Sequence, residues 1–114
     1  MGATTVVTTR ERLEDVAGRI RRAVEITEGD QGASPVLVAV VAELGRKSAK
    51  ALESLSAGDA TATTARECVV EVEQAADSAK TGAEADTGAS DATREAVSDA
   101  HLAICLFKAQ TNQD

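Results

Sequence analysis

The residue types that most often carry chemistry in a small protein are scarce in this chain. It has one histidine, His101, and two cysteines, Cys68 and Cys105, among 114 residues. A histidine can act as a general base, accept a phosphoryl group or bind a metal, and a cysteine can act as a nucleophile or form a disulfide. Each of these functions needs partner residues at a particular spacing, so the spacing decides between them.

The spacings argue against the common kinds of site. Four-helix proteins that hold two metals use Glu-x-x-His pairs, whereas the residue three before His101 is Ser98. Neither cysteine belongs to a C-x-x-C pair, and the chain has neither a G-x-S-x-G nucleophile motif nor a glycine-rich phosphate loop. We therefore predict that the protein is not an enzyme and has no catalytic, metal-binding or cofactor-binding residues.

His101 leaves one alternative open. On a helix it would lie in line with Arg94 and Lys108, and an exposed histidine beside cations on a helical bundle is a possible phosphoryl acceptor. Histidine phosphotransfer domains have a setting like H-x-x-K-G, whereas here Leu102 and Ala103 follow the histidine. A phosphorelay role through His101 is kept as an alternative to the main interpretation, a histidine at the edge of an interface.

Four segments with apolar residues at every third or fourth position must hold these side chains in place. The spacing predicts an all-α protein with helices over about 5–28, 35–57, 60–81 and 91–111. The second segment is the most apolar, and it begins with Ser34 as N-cap and Pro35 at the first helical position. The start of the first segment is open, because its apolar stripe reaches Thr5 while a capping box would begin the helix at Thr8.

Short connections predict how the helices are arranged. Gly58 and Asp59 form a tight turn between the second and third helices, and residues 82–89 form a polar, glycine-bounded loop before Ser90 or Asp91 caps the last helix. Helices of similar length joined in this way predict one domain, 1–114, folded as an antiparallel up-down-up-down four-helix bundle. We see no internal repeat in the sequence.

The last helix differs from the others because it is apolar on two sides. One stripe, which includes Val97, Ile104 and Phe107, faces the predicted core. A second stripe on the far side predicts a self-association surface, made of Leu102, Cys105, Leu106 and Ala109. Val38 faces away from the main stripe of the second helix and is a candidate contact with a partner.

Composition limits the choice of partners. The net charge is −7 and there is one aromatic residue, Phe107, so we expect neither nucleic acid nor an anionic membrane surface as a partner. No signal peptide or long apolar run is visible, which predicts a cytoplasmic protein. The favoured function is a non-enzymatic interaction or scaffolding module that forms a homodimer and can bind another protein. The alternative is a bundle that binds a small apolar ligand in a core cavity, which would be lined by Leu44, Val72, Ala75 and Ile104.

Overall fold

The computed structural model describes residues 9–56 and 62–113, with side chains over 11–54 and 66–110. Its helices are α1 (Thr9–Glu28), α2 (Pro35–Ser56), α3 (Ala62–Ala85) and α4 (Asp91–Gln113). α1 packs against α2 and α4, and α3 packs against the same two helices, which places α1 diagonally opposite α3 and α2 diagonally opposite α4. Because neighbouring helices are joined by short loops, this is the predicted antiparallel four-helix bundle.

Two of the helix starts are capped by serine, as the sequence indicates. The Leu37 N–H donates to Ser34 Oγ at 3.2 Å, and the Thr93 N–H donates to Ser90 Oγ at 3.2 Å. Ser90 rather than Asp91 is therefore the N-cap of α4. The choice between Thr5 and Thr8, and the predicted turn at 58–59, lie outside the described residues.

The predicted loop over 82–89 is wrong at its first half, because α3 continues to Ala85. Gly82 lies close to α2, where a Cβ on it would be 3.4 Å from the Leu37 side chain. Ala83 is 1% exposed and continues the buried stripe of Ala79. Packing against α2 thus outweighs the roughly 1 kcal/mol by which a glycine weakens a helix.

The core is a single cluster built mainly from valine, leucine, isoleucine and alanine. Leu44, Val72 and Ile104, which would line the cavity of the alternative ligand-binding bundle, are at most 1% exposed and pack within this cluster. Ala75 is partly buried at its edge. The buried stripe predicted for α4 is confirmed, since Val97, Ile104 and Phe107 are each at most 2% exposed.

The two helical hairpins repeat each other at an interval of 56 residues, contrary to our expectation of no repeat. We call α1 with α2 hairpin 1, and α3 with α4 hairpin 2. Hairpin 1 buries Leu13, Val16, Ile20, Ala23, Thr27, Leu37, Val41, Leu44, Ser48 and Ala51. Hairpin 2 buries the counterpart of each, in the same order: Val69, Val72, Ala76, Ala79, Ala83, Thr93, Val97, Ala100, Ile104 and Phe107. The two hairpins therefore share the positions of these buried residues more than the residue types at them.

The two loops share the sequence Asp-x-Gly-Ala-Ser, at 30–34 and at 86–90, and each aspartate caps the helix that follows the other loop. Asp30 accepts hydrogen bonds from the Ser90 N–H at 2.8 Å and from Thr93 Oγ1 at 2.7 Å. Asp86 accepts one from the Ser34 N–H at 2.7 Å. These bonds lower the pKa of both carboxyl groups below the ordinary value, the Ser90 N–H being the main cause for Asp30 and the Ser34 N–H for Asp86.

The loops also touch through their glycines. A Cβ on Gly32 would overlap the carbonyl oxygen of Gly88, and a Cβ on Gly88 would overlap that of Gly32. When residue i contacts j as j contacts i, the two parts are related by a two-fold axis. An approximate two-fold axis therefore passes between these glycines and relates hairpin 1 to hairpin 2.

Candidate functional site

The outer groove of hairpin 2 holds the histidine together with one of the cysteines. His101 on α4 reaches across to α3, where its Nε2–H donates to Asp77 Oδ1 at 2.6 Å. One turn further along α4, Cys105 Sγ lies 3.8 Å from Nε2 and 3.9 Å from Nδ1 of the same ring. The order cysteine, histidine, carboxylate is that of a nucleophile, its base and the group that orients the base.

The geometry and electrostatics of this cluster do not suit nucleophilic catalysis. Since Nε2 is occupied by Asp77, the nitrogen left to accept the thiol proton is Nδ1, and 3.9 Å exceeds the reach of a general base. Burial raises the pKa of the Cys105 thiol, and the nearby carboxylates of Glu73 and Asp77 raise it further. The thiol is therefore protonated at neutral pH, whereas a reactive cysteine needs the thiolate.

The same contacts bear on the phosphorelay alternative and on metal binding. The His101 side chain is 21% exposed, and its Nε2 is already bonded to a carboxylate that would repel an incoming phosphoryl group. Within the described part of the chain, no three His, Cys, Asp or Glu side chains are grouped as metal ligands would be. Cys68 and Cys105 are both free thiols, each partly buried.

A second cross-helix contact closes the far end of this groove. Lys108 Nζ donates to Glu73 Oε1 at 2.8 Å, and this bond raises the pKa of Lys108. With the His101–Asp77 bond, it ties α4 to α3 along the outer side of the hairpin. The chemistry available here is structural pairing between two helices.

Beside this groove lies the predicted self-association surface. Leu102 and Leu106 are 58% and 54% exposed, Ala109 is exposed, and Cys105 is half-buried at the edge. The structure thus brings together the four residues named on α4. Val38 is half-buried on α2, diagonally opposite α4, so it does not join them.

Sequence reasoning missed two features of the apolar surface. Val36, in the first turn of α2, is 72% exposed, more than Val38 beside it. From the sequence we chose Val38 instead, because the continuous apolar run gave no sign that Val36 is the more exposed of the two. The charged counterparts of the exposed leucines were also missed: 56 residues earlier, Arg46 takes the place of Leu102 and Lys50 that of Leu106.

No protein-family model, curated protein or solved structure matches this chain. Across the described residues, no helix combines the length and the apolar character needed to cross a membrane.

Proposed function

We propose that this protein is a non-enzymatic interaction module that self-associates through the outward face of α4. The observation that carries the proposal is the exposure of Leu102 and Leu106, which we call the leucine patch. The repeat supplies an internal control, because Arg46 and Lys50 occupy the counterpart positions of the same fold. Since the fold accepts charged residues there, the leucines on α4 need another explanation, and a contact surface provides one.

The occupant that suits the leucine patch is a second copy of the chain. Two α4 helices packed antiparallel would place Leu102 of one copy against Leu106 of the other, and the small side chains of Ser98 and Ala109 would let the helices approach closely. Burying four half-exposed leucines contributes on the order of 4 kcal/mol before the costs of association. That contribution is small, so we expect a weak dimer whose population depends on concentration.

The charges beside the patch do not oppose this contact. Asp99 is held by Arg19 of α1, with a nitrogen-to-oxygen distance of 3.0 Å, and Lys108 is held by Glu73 at 2.8 Å. Flanking charges that are already paired within one copy repel a second copy less. The net charge of −7 still does so over longer distances, and salt screens that repulsion. We therefore expect added salt to strengthen the dimer.

Sedimentation equilibrium of the full chain over a range of concentrations tests the proposal. We expect wild type to dimerise, and the double variant Leu102→Glu with Leu106→Glu to remain monomeric. The matched control is Arg46→Glu with Lys50→Glu, which places the same residue type at the counterpart positions of α2 and should dimerise. A wild type that remains monomeric at the highest soluble concentration would show the proposal to be wrong, as would equal losses in the two double variants.

A cytoplasmic location is part of the same proposal. Two free thiols suit a reducing compartment, which supports a cytoplasmic location. Val38 remains a candidate contact for a different protein, on the side of the bundle away from α4. A lack of cross-linking at a photoreactive residue placed at position 38 in cells would argue against that contact.

A further inference from the structure

Hairpin 1 has an open groove on its outer side, between α1 and α2. Its volume is about 600 Å³, within the range of sites that bind small molecules. Most of its lining is apolar or small. Its lining includes Ile20, Arg21, Val24, Gly45, Ser48 and Leu52.

The repeat explains why this groove is larger than the corresponding groove of hairpin 2, which side chains bridge and which has a volume of about 280 Å³. Gly45 is the counterpart of His101, so no side chain crosses from α2 to α1 where the imidazole crosses from α4 to α3. A Cβ at Gly45 would already lie 3.0 Å from the Val24 side chain. Leu52 takes the place of Lys108, so the second cross-helix bond is also missing in hairpin 1.

A buried hydroxyl group provides independent evidence that points to a ligand. Ser48 lines the groove and is 2% exposed, and its Oγ has no hydrogen-bond partner among the described residues. Its counterpart in hairpin 2 is Ile104, a buried aliphatic side chain that needs no hydrogen-bond partner. Because an unpaired buried hydroxyl is unfavourable, a ligand oxygen that pairs with Oγ once the side chain has rotated toward the groove would stabilise a serine at this position.

The charges around the groove indicate what kind of ligand this is. Val24 is level with Gly45 in the antiparallel pair, so Arg21, three residues earlier on α1, is level with Ser48, three residues later on α2. Arg21 makes no ion pair with any residue in the described part of the chain, whereas Arg46 is held by Glu43 at 2.7 Å. Glu28 and Glu53 lie toward the two ends of the groove, where they disfavour an anion.

We infer that the groove binds a small amphipathic carboxylate. Its apolar body lies along Ile20, Val24 and Leu52, and its carboxylate is placed at mid-groove by Arg21 and Ser48. This ligand site is separate from the leucine patch, and it lies on the surface of the bundle rather than in the core. The inference does not depend on self-association.

Titration of the ¹⁵N-labelled full chain with sodium octanoate, below its micelle concentration, tests the inference by amide chemical shifts. We expect saturable shifts at residues 45–52 and around Arg21, and small shifts in hairpin 2. Octan-1-ol, which lacks the charge, should bind about tenfold more weakly. Equal affinity for the two probes, or equal shifts in the two hairpins, would overturn the inference.

Variants make the test specific to the groove. Gly45→Leu should abolish binding, and Ala49→Gln, at an exposed lining position, should weaken it without disturbing the core. Arg21→Gln should weaken octanoate binding about tenfold and Ser48→Ala about threefold. The matched control is Arg22→Gln, because Arg22 neighbours Arg21 but does not line the groove. An equal loss from Arg21→Gln and Arg22→Gln, or unchanged binding in both groove-filling variants, would show that the groove is not the site.

Discussion

Hairpin 1 and hairpin 2 share ten buried positions, and an aspartate of each loop binds the start of the other hairpin's second helix. Their outer surfaces differ at nearly every counterpart that we compared. Where hairpin 2 has His101, Leu102 and Leu106, hairpin 1 has a glycine and two cations. The groove that is bridged by side chains in one hairpin is open in the other. The comparison separates what the fold requires, which is shared burial, from what it leaves free, which is residue type, and both proposed sites depend on positions where the two hairpins differ in residue type.

The buried positions also differ in size, and they do so in a compensating way. Ala100 is the counterpart of Leu44, and Phe107 is the counterpart of Ala51. Counterparts lie at the same height on either side of the approximate two-fold axis, so at these two pairs a large side chain from one hairpin is matched by a small one from the other. Such alternation lets a core reach a high packing density.

The largest expected effect comes from breaking this size match. Leu44→Ala removes a fully buried side chain and should lower the free energy of unfolding by about 2–5 kcal/mol. Ala100→Leu alone should cost about 1–3 kcal/mol by overpacking. If the counterparts share one layer, the double variant should be more stable than the sum of the two losses implies. Urea denaturation of all four proteins measures this, and strict additivity would argue against a shared layer.

A smaller effect is expected where the two loops meet. Gly32→Ala and Gly88→Ala should each destabilise the protein by about 1–3 kcal/mol, because the added methyl group would overlap a backbone carbonyl oxygen of the other loop. The control is Gly18→Ala, where a Cβ meets nothing within 4 Å. That helical position should gain about 0.5–1 kcal/mol. Thermal unfolding should therefore move in opposite directions for the loop glycines and Gly18, and a shift of the same sign would contradict the close contact.

The smallest expected effect is on how the free energy of unfolding changes at acid pH, and it should differ between Asp30 and Asp86. The pKa of Asp30 and of Asp86 is lower in the folded protein than the ordinary value of 3.8. Their contribution to stability is therefore complete above pH 4, and it is lost as the pH falls through the folded-state pKa. Asp30→Asn and Asp86→Asn should each make unfolding less dependent on pH below about 4.

The two hairpins should differ in the size of this change. Asp30 also accepts a hydrogen bond from the Thr93 hydroxyl, whereas Leu37, the counterpart of Thr93, has no hydroxyl to donate to Asp86. We therefore expect the larger change for Asp30→Asn. Urea unfolding measured from pH 2 to pH 5 compares wild type with both variants. Identical pH profiles for wild type and Asp30→Asn would contradict the capping role of Asp30.

Much of the fold follows from local sequence. Ser34 with Pro35 marks the start of α2, and apolar residues at every third and fourth position identify the helices and their buried sides. The end of α3 did not follow, because glycine at 82 is a weak helix former whose effect is outweighed by packing against Leu37 of another helix. The second apolar stripe of α4 was also readable, since two exposed leucines four residues apart need no tertiary information to be noticed.

The sequence by itself determined that this chain forms four amphipathic helices, because helix periodicity and capping depend on residues only a few positions apart. Tertiary structure alone decided which residues meet in the loops and along the grooves. The Asp-x-Gly-Ala-Ser segments are visible in the sequence. That Asp30 accepts a hydrogen bond from the Ser90 N–H, 60 residues further along the chain, is not. The same holds for the grooves, where Gly45 opens one and His101 bridges the other. Gly45 and His101 act on side chains of a neighbouring helix, and local sequence does not determine which helix packs beside which.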